Sequence, residues 1–283
     1  MNEVLQIDID GIIKSKSVSL YKKIPKFIIR YLKKIIHQDE INEFLLSAAG
    51  KEGHDFVDAV NVFLDIRIKT FGFEDIPDTG RFIFVANHPL GGLESMAMMK
   101  IIAKKYRNFV FVVNDILMHL TPMKDIFVPV NKIGSQSREN VKLINDIYKS
   151  DKQILYFPAG LVSRKIKGKI VDLKWQKSFV ARAVETQRDV IPIYIEGKNS
   201  NFFYNLAKFR KKIGIKFNIE MLFLVNEMFK QRGQTIKLYF GKSISYKIFD
   251  STKNYAEWAE YLKKEVYSIE KNIRNKDITY RLP

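Results

Sequence analysis

From Phe82 onward the chain alternates short apolar runs with longer stretches of helical period, and few folds accept that alternation. The runs near 82–86, 109–113, 126–130, 153–157, 190–195 and 235–240 have the length of core strands and are rich in β-branched and aromatic residues. Between them apolar positions recur at helical spacing near 94–105, 138–149, 174–187, 202–213 and 219–230. Such alternation predicts an α/β fold, a largely parallel central sheet flanked by helices on both faces. A last helix, about Tyr255 to Arg274, closes the chain.

Ahead of the first strand the pattern is helical. Leu20, Ile24, Phe27, Ile28, Tyr31, Leu32, Ile35 and Ile36 recur at helical spacing, with Lys22, Lys23, Lys26, Arg30, Lys33 and Lys34 between them and no acid from Gly11 to Gln38. Pro25 suits the first turn of a helix. An ordinary core-packed helix fits the apolar stripe as well as a membrane-interface helix does; the missing acids favour the membrane. Further helices are expected near 40–49 and 55–70. The expected organisation is an N-terminal helical, membrane-interface region over 1–75, an α/β core over 76–250, and a C-terminal helix packed on it over 251–283.

Composition removes several function classes. With 46% hydrophobic and 13% aromatic residues, the chain can bury a sizeable core. It has no cysteine, so disulfides, thiolate metal sites and cysteine nucleophiles are excluded. The opening Met1–Asp10 lacks the basic and apolar regions of a signal peptide, and none is expected. No apolar run approaches the roughly 18 to 20 residues needed to span a bilayer. The net charge of +17 reads either as a lysine-rich solvated surface or as the mark of an anionic partner, a lipid surface or nucleic acid.

Two turns carry the chemistry. Asn87-His88-Pro89-Leu90-Gly91-Gly92-Leu93-Glu94 follows the apolar run 82–86 directly, at the sheet edge where open α/β folds bind ligands. Glu94 can accept from one imidazole nitrogen of His88, leaving the other to take a proton from an alcohol. Gly91 and Gly92 let backbone N–H groups approach a carbonyl oxygen. A loop histidine with a carboxylate complementing a helix N-terminus is the plainer reading of the same residues. The second turn, Tyr156-Phe157-Pro158-Ala159-Gly160-Leu161-Val162-Ser163-Arg164-Lys165, also follows a strand and ends in a hydroxyl and two cations. It suits an anionic or carbonyl group of a substrate, or is simply a solvated surface turn.

Taken together, the two turns resemble the glycerolipid acyltransferase family, which acylates lysophosphatidic acid and related lysolipids. That family's first motif is His, four residues and Asp; its third is Phe-Pro-Glu-Gly-Thr-Arg-Ser. Here Asn87-His88 matches the start of the first, and Phe157-Pro158, Gly160 and Ser163 match the third. Ile126-Phe127-Val128-Pro129-Val130-Asn131-Lys132 occupies the place of the second motif and Val190-Ile191-Pro192-Ile193 that of the fourth. The likeness covers roughly residues 76 to 245. The wording is similar to a bacterial branch labelled hemolysin, whose members include O-acyltransferases that complete ornithine and glycine lipids.

The resemblance implies His88 as general base and Glu94 as its orienting acid. It implies Asn87, Gly91, Gly92, Asn131, Lys132, Pro158, Gly160, Ser163 and Arg164 as substrate-binding positions. It implies an acyl carrier protein or coenzyme A thioester as donor and a lysolipid as acceptor, with no metal or redox cofactor. The departures are specific. Five residues separate His88 from Glu94, Ala159 replaces the motif's Glu, Val162 stands at its Arg position, and Asn131-Lys132 replaces a second arginine. Dianion recognition favours a bidentate arginine, so these losses argue against a phosphate-bearing acceptor and for an amino-acid lipid.

A second basic-aromatic segment suits a lipid surface, a docking site for an acidic carrier protein, or a core-packed helix with a solvated face. Lys198, Lys208, Arg210, Lys211, Lys212 and Lys216 are interleaved with Phe202, Phe203, Tyr204, Leu206 and Phe209. The expectation is a peripheral enzyme on the cytoplasmic face of the bacterial inner membrane, in contact with an anionic membrane surface and with acyl carrier protein. A lysophosphatidic acid acyltransferase is the alternative within the class. A basic nucleic-acid-binding protein is the alternative outside it, although no recognised nucleic-acid motif is found.

Overall fold

The computed structural model describes residues 5–130 and 138–279. Helices α1 (Ile9–Lys16), α2 (Val18–Lys23), α3 (Lys26–Ile36), α4 (Gln38–Ser47) and α5 (Gly53–Phe63) precede strand β1 (Arg67–Phe71). Next come β2 (Phe82–Ala86), α6 (Leu93–Ile102), β3 (Phe109–Asn114), β4 (Phe127–Val130), α7 (Arg138–Lys149) and β5 (Gln153–Tyr156). A hairpin of β6 (Arg164–Ile166) and β7 (Lys169–Val171) leads to α8 (Ser178–Thr186) and β8 (Asp189–Glu196). The chain ends with α9 (Asn201–Lys212), α10 (Leu224–Lys230), β9 (Thr235–Phe240) and α11 (Tyr255–Thr279).

Among the described residues seven strands form one sheet in the order β1-β9-β8-β2-β5-β3-β4, and every neighbouring pair but β8 and β9 is parallel. This is the α/β architecture expected from the alternation. Strand β2 lies near the middle of the sheet: Phe82, Phe84 and Ala86 face one core and Ile83 and Val85 the other. Phe56, Val57, Leu93, Ala97 and Met98 of α5 and α6 fill the first core. Phe179 and Val180 of α8, with Trp258 and Leu262 of α11, fill the second. A strand covered on both faces needs apolar residues at every position, which is why 82–86 reads as an unbroken run.

The position of β2 against β5 sets up the site. Gln153 fixes their register: its Oε1 accepts the Phe82 N–H at 2.7 Å and its Nε2 donates to the Gly80 carbonyl at 2.8 Å. Val85 is thereby level with Tyr156. After β2 the chain turns into α6 on the first core; after β5 it reaches α8 on the second. Chains leaving adjacent parallel strands toward opposite faces open a crevice at the carboxyl edge of the sheet.

Three expectations about the elements are corrected. Residues 55–70 do not form one helix: α5 stops at Phe63, Asp65 takes φ 48°, and β1 pairs with β9 from Arg67 to Phe71. The sheet therefore begins inside the stretch read as helical. Pro25 splits the basic segment into α2 and α3, because it lacks an N–H and its ring collides with the preceding turn. Residues 219–230 are a 3-10 turn, Ile219–Phe223, followed by α10.

Helix α3 divides its apolar residues. Ile29 and Ile35 are buried, whereas Phe27, Ile28 and Tyr31 stay exposed. No helix among the described residues is long and apolar enough to cross a membrane.

Candidate active site

The two turns leave β2 and β5 side by side. Asn87 extends the sheet by one side chain: its Nδ2 donates to the Ile195 carbonyl at 2.9 Å and its Oδ1 accepts the Ile195 N–H at 2.7 Å. It mimics one more residue pair between β2 and β8, so both ends of the amide are committed to structure. His88 follows this anchor immediately.

His88 Nδ1 lies 2.9 Å from Glu94 Oε1. A carboxylate only accepts, so in the neutral imidazole the hydrogen sits on Nδ1 and the lone pair on Nε2. Glu94 is fully buried, and its Oε1 also accepts the N–H groups of Leu90 and Gly91, each at 2.8 Å. Its Oε2 has no partner among the described residues. A carboxylate stripped of water in this way pulls harder on the imidazole N–H. The extra residue between His88 and Glu94 is absorbed at Gly91, whose φ of 112° disfavours any side chain. A Cβ there would also stand 3.3 Å from a methyl of Leu224. Phe157 stacks on the imidazole with centroids 4.2 Å apart and an interplanar angle of 19°.

The second turn closes where the Gly160 N–H donates to the Phe157 carbonyl at 2.9 Å, with Gly160 at φ 61°. It is tied directly to the first. The Ser163 N–H donates to the His88 carbonyl at 2.7 Å, and the Ser163 hydroxyl donates to Asp172 Oδ1 at 2.5 Å. Asp172 Oδ1 also accepts the N–H of His88 at 3.1 Å. The result is an imidazole gripped at Nδ1 and along one face, with 16% of its side chain open, at the carboxyl edge of the sheet. Such a group can take a proton from a hydroxyl brought to Nε2.

Comparison with known proteins shows the family. A family model described as Acyltransferase matches residues 11–276. The chain belongs to that family. This acyltransferase is 46% identical over 269 residues to the lyso-glycine lipid O-acyltransferase of Phocaeicola vulgatus, covering 95% of this chain and 96% of the relative. It is likewise 46% identical over 264 residues to the lyso-glycine lipid O-acyltransferase of Bacteroides thetaiotaomicron, covering 93% and 97%. A solved structure, the 1-acyl-sn-glycerophosphate (LPA) acyltransferase PlsC of Thermotoga maritima, aligns over 87% of this chain and 83% of its own, at 19% identity and TM-score 0.48.

The acyltransferase places the expected site residues unequally. His88 and Glu94 meet, and Asn87, Gly91, Gly92, Pro158, Gly160 and Ser163 lie on the two joined turns. The N–H groups of Gly91 and Gly160 are already bonded, and the Pro158 carbonyl accepts the Gln176 N–H at 2.9 Å. Gly92 is exposed at the amino end of α6. The Ser163 hydroxyl is bonded to Asp172, so it is not a free binding hydroxyl. Asn131 and Lys132 lie outside the described residues.

Arg164 departs most from expectation. Its side chain is 6% exposed and its Nη2 donates to Glu220 Oε1 at 3.0 Å. Arg210 holds the same carboxylate from the other side, Nε to Oε2 at 2.8 Å. Burial lowers the Arg164 pKa below the ordinary arginine value, against the stabilising Glu220 charge. The cation expected at the substrate is thus part of a buried Arg-Glu-Arg triad.

Sequence reasoning missed Asp172 and Glu220, yet each leaves a signal. Asp172 is the only acid between Asp151 and Glu185, and Glu220 the only one between Glu196 and Glu227. A lone acid in a strongly basic stretch is a candidate for a buried partner.

Proposed function

We propose that the protein transfers a fatty acyl group from an acyl thioester to the hydroxyl of a lyso-glycine lipid, at the surface of an anionic membrane. The observation that carries the chemistry is the His88–Glu94 pair at 2.9 Å, with Nε2 left as a base. The names of the two relatives that match nearly end to end support the acceptor. So do Val162 at the motif's arginine position and the burial of Arg164, which leave the second turn without a free arginine for a phosphate dianion.

In this reading His88 Nε2 takes the acceptor's hydroxyl proton, and the oxygen attacks the thioester carbonyl. The tetrahedral oxyanion is met by the Gly92 N–H at the positive end of α6, since the N–H groups of Gly91 and Gly160 are occupied. Collapse forms the ester and expels the thiolate, which recovers the proton from the imidazolium. Each proton moves between the two substrates and His88. The donor is a thioester on acyl carrier protein or on coenzyme A. The exposed Lys165, Lys167 and Lys169 of the β6–β7 hairpin, which directly follows Ser163, suit an acidic carrier.

The membrane reading rests on a composite surface. Phe223 contacts Phe202 of α9 at 5.0 Å and Tyr31 of α3 at 6.4 Å, which joins the two basic-aromatic segments. Phe27, Tyr31, Phe202, Phe209 and Phe217 are each about half exposed or more on these segments. Leu224 and Met228 of the adjoining α10 lie against Gly91 and Gly92, so this surface borders the catalytic turn. We place it on the cytoplasmic face of the inner membrane, where acyl thioesters are made.

Two measurements test these readings. Purified protein given acyl thioester and either lyso-glycine lipid or lysophosphatidic acid is expected to favour the former by about 10-fold or more in kcat/KM, the value of roughly 1.4 kcal/mol. Preference for lysophosphatidic acid refutes the acceptor assignment. For the surface, Lys22→Glu, Lys23→Glu and Lys34→Glu together are expected to weaken binding to anionic vesicles about 100-fold, at roughly 1 kcal/mol per basic residue. Lys33 is omitted because it pairs with Asp10. Unchanged vesicle binding removes α2 and α3 from the membrane contact.

A further inference from the structure

Asp172 stands just past β7, 1% exposed, and its carboxylate gathers donors from three segments. Oδ1 accepts the backbone N–H of His88 at 3.1 Å and the Ser163 hydroxyl at 2.5 Å, while Oδ2 accepts Trp175 Nε1–H at 2.9 Å. The Ser163 N–H returns to the His88 carbonyl at 2.7 Å, so both backbone polar groups of His88 are held by the Asp172–Ser163 pair. Its side chain is held independently by Glu94 and Phe157.

The main chain of Asp172 is fixed as well. Its N–H donates to the Tyr267 hydroxyl at 2.8 Å, and its carbonyl accepts Lys263 Nζ at 2.9 Å. Lys263 and Tyr267 are four residues apart on α11 and so share one face of that helix. Desolvation pushes the Tyr267 pKa well above the usual tyrosine value, so its hydroxyl stays protonated and neutral here. The C-terminal helix thus holds the backbone of Asp172, whose carboxylate in turn holds the His88 turn.

We propose that Asp172 is the positioning residue of this acyltransferase. It locks the His88 turn to the Phe157–Arg164 turn and so sets where His88 Nε2 points. The inference rests on His88 being the base. A buried carboxylate with three neutral donors from segments 88, 163 and 175 could serve stability alone. What singles out positioning is that two of the three donors are His88 itself and the residue that holds its carbonyl.

The test uses full-length Asp172→Ala and Asp172→Asn, with thermal unfolding of each to confirm a folded sample. Misplacing a catalytic group by about 1 Å costs on the order of 100-fold, so Asp172→Ala is expected to lose roughly 10- to 100-fold in kcat with KM for the thioester nearly unchanged. Asp172→Asn keeps an oxygen for His88 and Ser163, and is expected to stay within about fivefold of wild type, the effect of a displacement well under 1 Å. The second readout is the imidazole NMR signal of His88, assigned among four histidines with His88→Ala. One His88 signal in wild type is expected to broaden or split in Asp172→Ala. Wild-type kcat with an unaltered His88 signal in Asp172→Ala overturns the proposal. An equal loss in both Asp172 variants with an unaltered signal also overturns it. Full activity of His88→Ala sinks the base reading instead, and the imidazole signal still decides whether Asp172 positions that ring.

Discussion

Replacing His88 with alanine is expected to lower kcat/KM for acyl transfer by about 10²- to 10⁴-fold, the usual contribution of a positioned general base. At neutral pH an aliphatic hydroxyl is a poor nucleophile until its proton has somewhere to go, and His88 Nε2 is the lone pair at the carboxyl edge of the sheet with a carboxylate behind it. Glu94 is fully buried and 2.9 Å from Nδ1, and in the proposed reaction it holds the tautomer and stabilises the imidazolium that forms. The loss should fall on kcat more than on KM, because the transition state and not the bound thioester is deprived of a partner. Stability should change little: the imidazole makes one side-chain hydrogen bond and one stacking contact, and the backbone ties of residue 88 to Ser163 and Asp172 survive the substitution. The check is a steady-state assay of wild type and variant with the same thioester and lysolipid, alongside their unfolding curves. A variant within about tenfold of wild type would remove His88 as the base, since that is below the range for such a group.

How far the site can be seen in the sequence depends on which residues solve their problems locally. Phe82-Ile83-Phe84-Val85-Ala86 is buried on both faces, so its environment is written in five successive residues. The pair His88 and Glu94 is also nearly local, since both lie on one turn and Gly91 supplies the backbone freedom that joins them. Strand β1 could not be read in the same way. Arg67-Ile68-Lys69-Thr70-Phe71 is an edge strand with no fully buried residue, and the helix before it ends through a left-handed Asp65 and not at a glycine or proline. Arg164 shows the other limit. Beside a catalytic turn, a guanidinium reads as a ligand for substrate until its partner is known, and that partner is 56 residues away. Asp172 is just nine residues from Ser163, but the two strands of the β6–β7 hairpin that bring it back are three residues each, too short to show a period.

The buried triad leads to the largest expected change in stability. Glu220→Ala is expected to destabilise the fold by about 3–5 kcal/mol, the cost of breaking a buried ion pair from one side. Glu220 is fully buried, and its two oxygens take Arg164 at 3.0 Å and Arg210 at 2.8 and 3.2 Å. Without it two guanidiniums, each nearly buried, face each other with no anion between them. At this chain length a loss of that size lowers the unfolding midpoint by roughly 6 to 20 °C. The same argument predicts recovery. Arg164→Met, Glu220→Met and Arg210→Leu made together remove the charges and the desolvation cost at once, and should return to within about 1 or 2 kcal/mol of wild type. Melting curves of the single and triple variants decide the matter, and a Glu220→Ala protein that unfolds at the wild-type temperature refutes it. Activity adds a second reading, because Arg164 is bonded to the residue whose N–H holds the His88 carbonyl. If the triad anchors the second turn, Glu220→Ala loses kcat at temperatures where it is still folded, and the apolar triple variant regains it.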